Sequence, residues 1–97
     1  MVILIKKTLL LFAEKHPETT ASLNNWYDIV KGADWSKLSE VRSTFNTVDY
    51  VGNDRYVFNI KGNSFRIVTM IFFDKRTIYI RFVGTHSEYD KIDCSIV

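Results

Sequence analysis

The run from Arg55 to Thr85 constrains the fold more than any other part of the chain. It reads as strands over Arg55–Ile60, Ser64–Phe73 and Thr77–Thr85, rich in β-branched and aromatic residues. Gly62-Asn63 and Asp74-Lys75-Arg76 separate them. Glycine, asparagine and aspartate accept the backbone angles of tight turns, so strands punctuated in this way form hairpins. A further strand is expected over Thr47–Val51, ahead of the turn Gly52-Asn53-Asp54.

Taking Gly62-Asn63 as a two-residue loop pairs Lys61 with Ser64, Ile60 with Phe65 and Asn59 with Arg66. Side chains alternate across a strand, so each pairing assigns faces. One face collects Tyr56, Phe58, Ile60, Phe65, Ile67, Ile71 and Phe73, and must be covered by helices. The other collects Arg55, Asn59, Lys61, Ser64 and Arg66, interspersed with Val57, Val68, Met70 and Phe72. The next hairpin can turn at Asp74-Lys75 or at Lys75-Arg76. Either choice sends Ile78, Ile80 and Phe82 under the helices, and Tyr79, Arg81, Val83 and Thr85 to the open face beside Arg66.

The N-terminal half supplies the covering helices. Val2–Ile5 is a short apolar strand, and Lys6–His16 carries Leu9, Phe12 and Ala13 at helical spacing. Pro17 ends that helix and can open the next. Leu23, Trp26, Tyr27 and Val30 then form one apolar stripe, with Gly32 as its stop, and a short helix after Ser36 carries Leu38, Val41 and Phe45. Helices followed by strands predict an α+β fold, with N-terminal helices on one face of a twisted, mainly antiparallel sheet. The 97 residues are expected to form a single domain spanning 1–97.

Charge is nearly balanced, at a net +2 from 13 basic and 11 acidic residues, so any nucleic-acid site must come from local arrangement. Cys94 is the single cysteine, which excludes an internal disulfide and fits a reducing compartment. The start MVILIKKTLLLF has its lysines after the apolar run and no small-residue cleavage site, unlike a signal peptide, and no stretch is long enough to span a bilayer. A soluble, cytoplasmic protein without membrane association is expected. The two histidines and one cysteine show no metal-ligand spacing, and no phosphate-binding glycine loop is present, so neither metal nor cofactor is expected.

Strand parity gathers Asn59, Lys61, Arg66 and Arg81 on the face away from the helices. Antiparallel pairing brings Thr85, and His86 after it, to the same end. On these residues a resemblance appears. The runs VFNIKGNSFRIV (Val57–Val68) and IRFVGTHSEYDKID (Ile80–Asp93) resemble the HigB toxin family, within the wider RelE-like group. So do Lys6 through EKHPE (Glu14–Glu18) and NNWYDIVKGADW (Asn24–Trp35), so the similarity runs through nearly the whole chain in order. The resemblance implies a RelE-like compact sheet with helices on one side and a concave RNA-facing surface. It also implies the toxin of a type II toxin–antitoxin system: an mRNA interferase that cuts ribosome-bound message during translation. A HigA-type helix-turn-helix antitoxin would neutralise it.

Cleavage of RNA through its own 2′-hydroxyl needs a proton acceptor, cations on the phosphate and a proton donor for the 5′-oxygen. His86 is the candidate acid or base, because imidazole exchanges protons near neutral pH. Arg66 suits the phosphate, since its planar fork can hold two oxygens. Tyr89 can stack on a base or orient the phosphate. In the resemblance, Arg66 matches the sheet arginine, and the segment with His86 and Tyr89 matches the C-terminal catalytic segment. Lys61, Arg81, Asn59 and Lys91 add polar and positive groups for RNA, and Lys6 and Lys7 could grip ribosomal RNA. Glu88 and Asp90 can act as bases but read rather as solvated or paired with Lys91, and His16, Trp26, Tyr27 and Trp35 read as structural. Two other readings share the scaffold: a non-catalytic ParE-like toxin acting on DNA gyrase, and a protein-interaction module.

Overall fold

The computed structural model describes residues 1–62 and 64–97. The chain runs β1 (Val2–Leu4), α1 (Lys7–Lys15), a 3₁₀ turn at Pro17–Thr19, α2 (Thr20–Gly32) and α3 (Leu38–Thr44). It continues through β2 (Asp49–Gly52), β3 (Arg55–Ile60), β4 (Phe65–Phe72), a 3₁₀ turn at Phe73–Lys75, β5 (Thr77–Thr85) and α4 (His86–Tyr89). The strands form one sheet in the order β1-β5-β4-β3-β2; β1 lies parallel to β5 and the other neighbours are antiparallel. This is the α+β architecture expected. The parallel placement of β1 and the short α4 were not legible in the local pattern.

The helix-covered face carries the core. Leu9, Leu23, Trp26, Val30 and Val41 from the helices pack with Tyr56, Phe58, Ile60, Phe65, Ile67, Ile71, Ile78 and Ile80 from the sheet. Trp26 meets Phe58 edge-on at 5.3 Å, and Phe45 meets the same ring at 5.2 Å. His16 stacks on Phe12 at 4.5 Å and touches Phe65, the structural role expected of it.

The β3–β4 register is the expected one, with Ile60 opposite Phe65 and Asn59 opposite Arg66. The expected turn Gly62-Asn63 falls partly on Asn63, outside the described residues. Lys61 leaves the strand with φ +54, so it takes no place opposite Ser64 in the ladder.

The β4–β5 ladder corrects the reading of faces. From Phe72↔Thr77 to Thr69↔Ile80 it follows the register in which the loop turns at Asp74-Lys75. Between Val68 and Thr69 the register shifts, and Val68 pairs with Phe82, leaving Arg81 as an extra residue. An inserted residue reverses the alternation beyond it. Val83 and Thr85 therefore stand opposite Ile67 and Phe65 on the helix-covered face, where Val83 packs against the core. Phe82 and Gly84 take the other face, opposite Val68 and Arg66. The expectation was the reverse for Phe82, Val83 and Thr85. It held for Ile78, Ile80, Tyr79 and Arg81, which lie on the near side of the bulge or within it.

The face away from the helices is not bare. Residues beyond α4 turn back across it: Asn53 Nδ2 donates to the Ser95 carbonyl at 2.9 Å, and Arg55 Nε and Nη2 donate to Val97 O at 3.0 and 2.9 Å. Arg81 Nε reaches the same oxygen at 3.3 Å. Val57 and Val68, which point to this side, are buried yet belong to no part of the main core. Among the described residues no helix is long and apolar enough to cross a membrane.

Candidate nucleic-acid site

The site is built where β5 ends. Thr85 caps α4 through a reciprocal pair: its hydroxyl accepts from Glu88 N at 3.2 Å, and its own N–H donates to Glu88 Oε1 at 2.8 Å. The sequence THSE is thus a capping box, which fixes the direction in which His86 leaves the strand. The hydrogen bond to the Thr85 backbone is the main cause that holds the Glu88 carboxyl below the usual range. Glu88 is accordingly spent on the cap. His86 N donates to Ser64 O at 3.0 Å, which ties the start of α4 to the end of the β3–β4 hairpin.

Gly84 has a specific reason to precede this turn. A Cβ there would lie 2.5 Å from the Phe82 ring and 3.2 Å from Glu88 Cβ. Any side chain would push against the ring or the cap. Gly84 also stands opposite Arg66 in the ladder, and the Phe82 ring fills the space that a side chain there would take.

Arg66 projects on the face away from the helices, with its guanidinium carbon 5.6 Å from the centroid of the Tyr89 ring. A cation over a phenol face at this range is favourable and holds both groups in place. Tyr89 Oη donates to Cys94 Sγ at 3.3 Å. Burial, then this contact, pushes the phenol pKa up to about 12, against an opposing pull from Arg66. Tyr89 therefore keeps its proton at neutral pH and can donate or stack, but cannot serve as a base.

His86 Nδ1 lies 3.0 Å from Asp90 Oδ2, one helical turn on, and both side chains are at least half exposed. A carboxylate at Nδ1 favours the tautomer that carries its proton there and leaves Nε2 directed outward as an acceptor. Asp90 was read in the sequence as solvated or paired with Lys91. The signal available was its i,i+4 spacing from His86, which becomes meaningful once a helix is known to start at His86.

The structure thus forms two pairs near the α4 junction, Arg66 with Tyr89 and His86 with Asp90, and places Asn59 opposite Arg66 on β3. Lys91 follows α4 and is exposed. Arg81 lies on the same face but further down the sheet, at the bulge. Lys61 and Asn59 both line a cleft with Ser22, Asn25 and Phe45. Lys6 sits 4.2 Å over the Tyr27 ring in the helix layer, and Lys7 starts α1, so neither joins the group around Arg66. Among the described residues, no cluster of three or more His, Cys, Asp or Glu side chains is arranged to hold a metal ion.

Comparison with known proteins bears on this geometry. Residues 19–92 match the HigB toxin family, described as the RelE-like toxic component of a toxin–antitoxin system. The chain is 34% identical over 93 residues to the mRNA interferase toxin HigB of Escherichia coli K12, covering 93% of this chain and 88% of that one. The mRNA interferase HigB of Shigella flexneri gives the same figures. The mRNA interferase HigB of Escherichia coli O6:H1 is 30% identical over 82 residues, covering 82% of this chain and 80% of its own.

Proposed function

Because the chain belongs to the HigB family of RelE-like toxins, we propose that it is a messenger-RNA endoribonuclease, the toxin of a type II toxin–antitoxin pair. The observation that carries this reading is a pair of contacts where β5 ends, Arg66 with Tyr89 and His86 with Asp90. A cation for phosphate, a proton-exchanging imidazole and an aromatic surface are what cleavage through the 2′-hydroxyl requires.

In this reading the 2′-oxygen attacks the adjacent phosphorus as its proton is removed. The bond to the 5′-oxygen breaks, and that oxygen takes up a proton. The products are a 2′,3′-cyclic phosphate and a 5′-hydroxyl. His86 Nε2 exchanges a proton with one of these two oxygens and solvent water with the other, while Asp90 fixes the ring and its tautomer. Arg66 binds the non-bridging oxygens and offsets the charge that grows on them. Tyr89, protonated and braced against Cys94, keeps the guanidinium in place and offers a ring face to a base.

The substrate we propose is message bound to a translating ribosome, the inhibitor a HigA-type helix-turn-helix antitoxin, and the place of action the cytoplasm. The whole chain, 1–97, acts as one unit. The test is primer-extension mapping of transcripts after brief induction, with translation running and with initiation blocked. The expected result is new 5′-hydroxyl ends only while translation runs, and none when the antitoxin is co-expressed. Growth arrest without new ends would instead favour a non-catalytic toxin on this scaffold.

A further inference from the structure

The lower half of the Arg66-bearing sheet face holds a cavity that the proposed reaction does not use. It has a volume of about 280 Å³ and is lined by Met70, Phe72, Lys75, Thr77, Tyr79 and Arg81. That lies just under the roughly 300–1,000 Å³ of ordinary small-molecule sites, so it suits a single ring system. The floor is apolar and aromatic, with the rings of Phe72 and Tyr79 meeting edge-to-face at 5.7 Å and 88°. Two cations flank it and no carboxylate lines it.

We propose that this cavity is a nucleobase subsite, which binds a base of the same RNA strand at a distance from the bond that is cut. The inference rests on the ribonuclease reading and adds where a second part of the substrate is held. Three observations support it. The cavity shares its sheet face with Arg66, since Met70 and Phe72 alternate with Val68 and Arg66 along β4. From Arg66 to Phe72 is six residues, about 20 Å at strand rise, and Val97 lies across the face between them, so an RNA strand that reaches both passes over the returning C-terminal residues for a few nucleotides. Partly exposed rings between cations match what single-stranded RNA offers, a flat base joined to a phosphate.

The bulge gives this arrangement a local cause. Arg81 is the residue inserted where the β4–β5 register shifts, so it stands at the cavity rim instead of taking a place in the ladder. Its Nε already holds a main-chain oxygen, that of Val97. A phosphate oxygen would take the same donor. An acidic segment of a protein partner could also meet these cations, but the ring pair favours RNA.

The experiment uses the full chain and 2′-O-methyl RNA oligonucleotides, which cannot be cut through the 2′-oxygen. Binding is followed by fluorescence anisotropy over a series of increasing length. The expected result is a step in affinity at one length, about tenfold. That step disappears in Tyr79→Ala and when the nucleotide added at that length is abasic. Tyr79→Trp keeps it, and Arg81→Gln reduces it while Arg81 stays an exposed position whose loss spares the core. A step that survives both Tyr79→Ala and the abasic substitution overturns the proposal. So does a Tyr79→Ala protein that binds RNA normally but loses its antitoxin. Wild-type protein that binds no RNA of any length, and cuts none, overturns the ribonuclease reading and this inference with it. Wild-type protein that cuts message but shows no step overturns the subsite alone.

Discussion

The two faces of the sheet are made by the same strands and are held by different physics. Under the helices, Phe58, Ile67, Ile71, Ile78 and Ile80 are almost wholly removed from water and contact one another and the helix stripes. On the opposite face, Val57 and Val68 are just as buried, but the chain beyond α4 covers them, anchored through Asn53, Arg55 and Arg81. The first face is closed by area, where every apolar side chain contributes. The second is closed by a few directed hydrogen bonds and leaves Arg66, Tyr89 and His86 at its edge. Stability should therefore depend on the first face and RNA chemistry on the second, so substitutions on one should leave the property of the other intact.

The largest separation is expected at His86. His86→Ala should slow message cleavage by about 10²–10⁴-fold, the usual loss for an acid or base, with an unchanged melting temperature. Rates come from reconstituted translation reactions and the melting curve from circular dichroism. Adding Asp90→Ala to that variant should cost nothing further, because a residue that acts through His86 has nothing left to orient. A folded His86→Ala protein that cuts at near the wild-type rate would break the comparison on the chemical side.

Phe58→Ala tests the other face. Its ring lies between Trp26 and Phe45 and is 1% exposed. The loss should be about 3–5 kcal/mol of unfolding free energy, read from urea titration. The fraction that remains folded should cleave normally. Selective loss of cleavage in fully folded protein would show that the faces are not independent.

Arg66→Lys should fall between these. The charge remains, while the two-pronged contact with phosphate and the planar contact with Tyr89 are lost. A rate about ten- to a hundredfold below wild type is expected, with Arg66→Ala slower still.

The smallest effect belongs to the α4 cap. Thr85→Ala should cost about 1 kcal/mol and slow cleavage only to the extent that His86 is misplaced. The cap also has a pH sign. The Glu88 carboxyl is held below its ordinary value by the Thr85 contacts. Its contribution is present above the unfolded carboxylate range and is lost as pH falls through the lowered folded value. Protection of the α4 amides in hydrogen exchange should therefore weaken on acidification in wild type, and lose that acid dependence in Glu88→Gln.

Much of this arrangement was readable from local pattern, and the limits of that reading are specific. The helical stripe at Leu23, Trp26 and Val30 and the alternation through Tyr56, Phe58 and Ile60 each repeat with the period of one element, so burial follows from spacing. The pairing of Asn59 with Arg66 follows from the two-residue loop of the hairpin. These are short-range facts, determined by bonds and neighbours along the chain. The reversal of Phe82, Val83 and Thr85 was not readable, because one extra residue at Arg81 leaves the composition of β5 unchanged and shows only in its pairing with β4. Lys61 departs from its expected pairing with Ser64 for a related reason: its positive φ takes it out of the ladder. The contact of Tyr89 with Arg66 and Cys94, and the return of residues 95–97 to Asn53, Arg55 and Arg81, join segments far apart in sequence. The sequence alone determined the main apolar stripes under the helices and which residue types could handle RNA. Only the tertiary structure decided which polar groups stand together, because register shifts and the path of a chain across a sheet are fixed by contacts between segments and not by periodicity within one.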